Sequence, residues 1–60
     1  MKVRELLNLI KTYYEVVDKE GNLLFTKDSR LFEYEDCYVY QIRQVLGFDG
    51  TPCIEVRILR

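Results

Sequence analysis

The sequence predicts an α+β fold, with one N-terminal helix packed on a four-stranded antiparallel sheet made of two β-hairpins. Three observations carry that expectation. Only the first dozen residues have a helical apolar period, and two later stretches each read as strand, glycine-containing turn, strand. The whole chain is 60 residues long, so residues 1–60 are expected to form a single small domain.

Val3, Leu6, Leu7 and Ile10 fall at i, i+3, i+4 and i+7, which places a helix from Lys2 to about Thr12. No side chain before it can cap its first N–H groups, so its first turn is expected to fray. About ten residues cannot hold a helix alone in water, and the stripe must therefore lie on the sheet.

Tyr13–Val17 is aromatic and β-branched, the composition of a strand. Asp18-Lys19-Glu20-Gly21-Asn22 is the pattern of a type I turn closed by a glycine with positive φ, and Leu23–Thr26 returns as the second strand. Lys27–Arg30 is a polar link, and Leu31–Glu35 reads equally as a short strand or a helical turn. In the segment from Cys37 to about Leu46, Tyr38, Tyr40 and Ile42 alternate with Val39, Gln41 and Arg43; Cys53 to Leu59 is the last strand, with Ile54, Val56 and Ile58 on one face. A three-residue loop centred on Asp49 pairs residues whose numbers sum to about 98. That register sets Ile42 opposite Val56, Tyr40 opposite Ile58, and Arg43 opposite Glu55. Cys53 then faces Val45, and Cys37 lies on the order of 27 Å further along the strand, beyond disulfide reach.

Composition excludes several classes of function. The formal net charge of −1 is too small for phosphate-backbone binding, so no direct nucleic-acid contact is expected. With no histidine and only two cysteines, neither a zinc site nor an activated thiol or serine can be assembled from the usual side chains. The glycines match no phosphate-binding loop, and no cofactor is expected. The longest apolar run, Cys37–Tyr40, is far too short to cross a membrane, and no signal peptide is visible. The expected location is the cytoplasm, with both cysteines as thiols. The chain is expected not to be an enzyme.

The composition favours binding instead. Residues 15–36 hold seven acidic side chains against three basic ones, a local charge of −4. Five tyrosines supply apolar bodies with polar tips, a composition that suits partly exposed interfaces. Core packing is the first expectation for Tyr38 and Tyr40, which share the face of Ile42. Of Tyr13 and Tyr14, and of Leu23 and Leu24, one in each pair must point away from the core; Cys53 and Leu59 lie opposite the Ile54 face. One helix covers only one sheet face, so these outward groups point to a partner surface, and a second copy of the chain, forming a dimer, is among the expected partners. The expected contact residues are Tyr13, Tyr34, Tyr38 and Tyr40 with the acids Glu33, Glu35 and Asp36. An alternative is a dimer groove lined by tyrosines that holds a nucleotide or other small ligand, with Arg43 and Arg57 supplying positive charge.

Met1–Leu7, then Glu15–Phe25 with its D-x-x-G-x-L-x-F core, then Ile54-Glu55-Val56 in a terminal hairpin, resemble a group of very short proteins. These are accessory proteins encoded by phages and other mobile elements of Gram-positive bacteria, and the shared pattern is a K-V-x-x-L-L helix followed by hairpins. The resemblance implies a non-enzymatic protein that binds and blocks a host or phage protein, including antiviral-defence components such as CRISPR effectors. It carries over no site residues.

Overall fold

The computed structural model describes residues 1–47 and 49–59. The chain runs α1 (Val3–Leu7), β1 (Tyr14–Val17), β2 (Leu23–Thr26), two single-turn 3-10 helices (Lys27–Ser29 and Phe32–Tyr34), β3 (Tyr38–Leu46) and β4 (Pro52–Leu59). The α+β class and the four strands match the sequence reading, and Leu31–Glu35 resolves as a helical turn. The aromatic Phe48, assigned to the second turn, lies outside the described residues.

The sheet is mixed, not purely antiparallel. Its order is β2-β1-β4-β3, and the two hairpins dock through β1 and β4, which run parallel with Tyr14 beside Ile54 and Val16 beside Val56. The docking puts the two most buried strands in the middle of the sheet. Adjacent Val16 and Val17 are both buried, as are Cys53, Val56 and Ile58. The more exposed β2 and β3 become the edges.

Both turns form as their residues demand. In the first, Gly21 N–H donates to the Asp18 carbonyl at 3.0 Å, and Asp18 N–H to the Asn22 carbonyl at 3.0 Å. The Asp18 carboxylate accepts from the backbone of Glu20 and Asn22, each at 2.9 Å. Gly21 takes φ +92°, a region where a Cβ would be strained. In the second, Gly47 N–H donates to the Thr51 carbonyl, and Asp49 accepts from the Thr51 backbone and hydroxyl. Hydrogen bonding from Asn22 holds the Asp18 carboxyl below the usual carboxylate range, and Thr51 does the same for Asp49.

The β3–β4 register follows the expected sum from Leu46↔Pro52 to Gln41↔Arg57, including Ile42↔Val56, Arg43↔Glu55 and Val45↔Cys53. It then slips. A bulge at Tyr40 sets Val39, not Tyr40, opposite Ile58, and Tyr38 opposite Leu59. Val39 therefore packs against the core, while Tyr38, Tyr40 and Ile42 are 58%, 58% and 49% exposed, contrary to the core expectation for that face.

The core is one cluster of Val3, Leu7, Tyr14, Val16, Phe25, Tyr34, Val56 and Ile58. The helix that supplies Val3 and Leu7 is five residues long, not eleven. It turns out of helix at Asn8, and Ile10 reaches the cluster from the following segment. So short a helix has little stability of its own and ends where its buried stripe is satisfied. Its first turn does not fray freely, because Val3 and Arg4 N–H groups donate to the carbonyls of Cys37 and Glu35 at 2.9 and 3.1 Å. Backbone from a distant segment caps two of the first N–H groups, and the Glu5 carboxylate accepts from the Lys2 N–H at 3.2 Å just before the helix. Cys37 and Cys53 are both free thiols.

Candidate interaction surface

Both elements that bury helical side chains, α1 and the Phe32–Tyr34 turn, join the cluster on one face of the sheet. Among the described residues no helical layer covers the opposite face. Strand alternation assigns to it Glu15 and Val17 from β1, Cys53, Glu55, Arg57 and Leu59 from β4, and their register partners Tyr38, Gln41, Arg43 and Val45 from β3. At its centre Glu55 accepts from Arg43 Nε at 2.8 Å and from Arg57 Nε at 3.1 Å. The Arg43 guanidinium, with help from Arg57, holds the Glu55 carboxyl below the ordinary glutamate value. Arg57 also donates to the Lys19 carbonyl, tying β4 to the first turn. At one end of this face lie Tyr38 and Leu59, opposite each other and both exposed.

Along the side of the sheet, β3 is a nine-residue edge strand. Its outer edge is partly occupied. Val39 N–H donates to the Met1 carbonyl at 2.8 Å, and Lys2 forms an isolated antiparallel bridge with Tyr38. Beyond the bulge, Ile42, Gln44 and Leu46 are all exposed, Leu46 at 75%. A groove of about 440 Å³ opens beside this edge, lined in part by Thr12, Ile42, Gln44 and Ile54.

The expected contact residues do not form one site. Tyr38 and Tyr40 lie together near the start of β3, and Tyr13 is 39% exposed while its neighbour Tyr14 is buried, as the adjacency argument requires. Tyr34 is a correction. It is 8% exposed and stacks on Phe25 with ring centroids 5.8 Å apart, so it belongs to the core and not to a binding surface. The acidic group divides: Glu33 is exposed, Glu35 is paired with Arg30, and Asp36 with Arg4. Asp36 and Glu35 thus anchor the segment whose carbonyls cap α1. Arg43 and Arg57 do come together, but on Glu55, which balances charge that an anionic ligand would need.

Cys53, expected among the outward apolar groups, is 1% exposed; a Cβ added at Gly47 of the second turn would meet its Cβ at 3.6 Å. Burial, followed by the nearby Glu15 and Glu55 carboxylates, pushes its thiol pKa up, the reverse of a nucleophile. Sequence reading missed Ile42 and Leu46 as exposed groups, and Phe32, which is 74% exposed beneath the Arg30 guanidinium. The available signal was the long alternating β3 run itself, since an edge strand cannot cover its own outer side.

Among the described residues no group of three or more Cys, Asp or Glu side chains is placed to hold a metal ion, and no helix is long and apolar enough to cross a membrane. A scan against protein-family models, a search of curated proteins and a search of solved structures each find no match to this chain.

Proposed function

We propose that this chain is a non-enzymatic interaction protein that works as a dimer and occupies a surface of another protein. The carrying observation is the open end of the helix-free sheet face, where Tyr38 and Leu59 lie exposed side by side in register with Tyr40 close by. A small domain gains nothing from exposing two tyrosines and a leucine together, whereas an interface gains large contact area at low entropic cost. The reading extends to the setting implied by the resemblance: the partner is a host or phage protein met in the cytoplasm, antiviral-defence effectors included, and binding blocks it sterically.

The test is affinity capture from a Gram-positive lysate with the wild-type chain and with a Tyr38→Ser/Tyr40→Ser variant shown to be folded by circular dichroism. The reading predicts a protein retained by the wild type and lost with the variant. Identical retention by both chains refutes this face as the binding surface.

A further inference from the structure

We infer that the free edge of β3 pairs with β3 of a second copy, antiparallel and centred on Gln44, to make one continuous eight-stranded sheet. The inference deepens the reading above by giving the dimer its interface and register, and it uses the strand edge, not the Tyr38–Leu59 face. The Gly47 N–H to Thr51 carbonyl bond sets the hydrogen-bonding phase of the β3–β4 ladder. Bonded and non-bonded pairs alternate along an antiparallel ladder, so Val45–Cys53, Arg43–Glu55 and Gln41–Arg57 are the bonded pairs. The Ile54 N–H, which donates to the Tyr13 carbonyl on the other side, agrees with that phase. It follows that Ile42, Gln44 and Leu46 turn their N–H and C=O groups to the open edge. At the other end of β3 the phase is reversed by the bulge, and there Val39 donates outward to Met1. The bulge therefore limits the free edge to residues 42–46.

Symmetry and charge select the register. Two antiparallel strands in one sheet are related by an axis normal to the sheet, which keeps every side chain on its own face. Directly opposed residues must therefore share a face, and the sum of their numbers is even. Centring on Arg43 sets the two guanidinium-bearing residues opposite each other, which like-charge repulsion opposes. Centring on Ile42 brings Gln44 against the bulge residue Tyr40 and leaves Leu46 without a bonding partner. Centring on Gln44 pairs Ile42 with Leu46, Gln44 with Gln44 and Leu46 with Ile42. Each pair exchanges two bonds, six in all, and every outward group of residues 42, 44 and 46 is used.

The side chains agree with that register. Ile42 and Gln44 share the helix-side face with Val56 and Ile54, where the 440 Å³ groove opens. Leu46 of the second copy enters beside Ile42 there, covering two apolar side chains that are 49% and 75% exposed in one chain. The two Gln44 amides meet at the axis, where each can donate to and accept from the other. Edge strands normally carry a charge that blocks such pairing; here the single charge, Arg43, is already bound to Glu55 of its own chain.

Sedimentation across a concentration series, with site-specific cross-linking, tests the inference. The wild type is expected to move from chain mass to twice that mass, and Gln44→Lys, which places like charges at the axis, to stay at chain mass while keeping the wild-type circular dichroism spectrum. In a Cys37→Ser background, Gln44→Cys chains should form a disulfide with each other, since a bonded pair has Cα atoms about 5.5 Å apart. Ile42→Cys should cross-link with Leu46→Cys but not with itself, its own copies being about 14 Å apart along the strand. A wild type at chain mass throughout overturns the inference, as does a dimer in which Gln44→Cys does not cross-link or which survives Gln44→Lys. A wild type at chain mass also removes the dimer from the reading above, whereas a dimer that fails the Gln44 tests removes only this interface; the Tyr38/Tyr40-dependent capture is read independently of both, so the failures are distinguishable.

Discussion

Replacing Glu55 by glutamine keeps the size of the side chain and removes the charge that Arg43 and Arg57 share. Hydrogen bonds to charged groups contribute about 1.5–3 kcal/mol, and exposed ion pairs about 0–1 kcal/mol. Glu55 is 14% exposed and Arg57 22%, whereas Arg43 is 50% exposed, so the triad falls between those cases. Two effects pull the cost down: a glutamine oxygen still accepts one bond, and Glu15, the register neighbour of Glu55 on β1, loses a like charge beside it. The net is about 1 kcal/mol. An unfolding entropy of about 2.1 cal/mol/K per residue converts this into a Tm fall of about 8 °C for a chain this short. The folded-state pKa of Glu55 lies below its unfolded value, so its contribution is complete above the ordinary glutamate pKa of about 4.3 and is lost as pH falls through the folded value. Thermal melts of both chains at one protein concentration should therefore differ by about 8 °C at pH 7 and converge in acid, once the pH has fallen below the folded-state value. Equal Tm values at pH 7, or a gap that persists undiminished into acid, refute the triad as a stabilising element.

Other expectations can be checked on the same material. Tyr34→Ala removes the ring stacked on Phe25 and opens a cavity in the only core cluster found among the described residues; at about 3–5 kcal/mol, it should abolish the cooperative melt. Gly21→Ala forces a side chain into a left-handed backbone next to Arg57, and the Tm should drop by about 8 °C or more, corresponding to roughly 1–2 kcal/mol. Asp18 and Asp49, both held below the normal carboxylate range, should add to the acid sensitivity, so Asp18→Asn is expected to flatten stability against pH below about 4. Alkylation followed by mass spectrometry should find Cys37 modified in the folded chain, and Cys53 modified only at the rate of unfolding.

The local grammar of this fold could be read from the residues. Asp18 and Gly21 specify the first turn; the alternation of Ile54, Val56 and Ile58 against Glu55 and Arg57 specifies β4, and it gives the Arg43–Glu55 pairing. What stayed hidden was non-local. Parallel docking of β1 on β4 leaves no mark within either hairpin, although the doublet Val16–Val17, buried on both faces, belongs to a central strand. The bulge adds one residue to an alternation that Tyr38–Arg43 satisfies equally well without it, which is why Tyr40 and Val39 exchange roles. Tyr34 reads as a surface tyrosine because its neighbours Glu33 and Glu35 are acidic, yet a 3-10 turn points it inward onto Phe25. The candidate surface was legible in kind, as an excess of apolar side chains over what one helix can cover, but not in position.

Backbone hydrogen exchange along β3 tests the account most directly, because it reads the open edge residue by residue. At high dilution the N–H groups of Gln41, Arg43 and Val45, bonded to β4, should be protected, and those of Ile42, Gln44 and Leu46 should exchange freely. Raising the concentration should protect the second set and leave the first unchanged. Protection of Ile42, Gln44 and Leu46 that is already complete at high dilution, or that never appears at any concentration, contradicts the claim that this edge is where the chain meets its second copy.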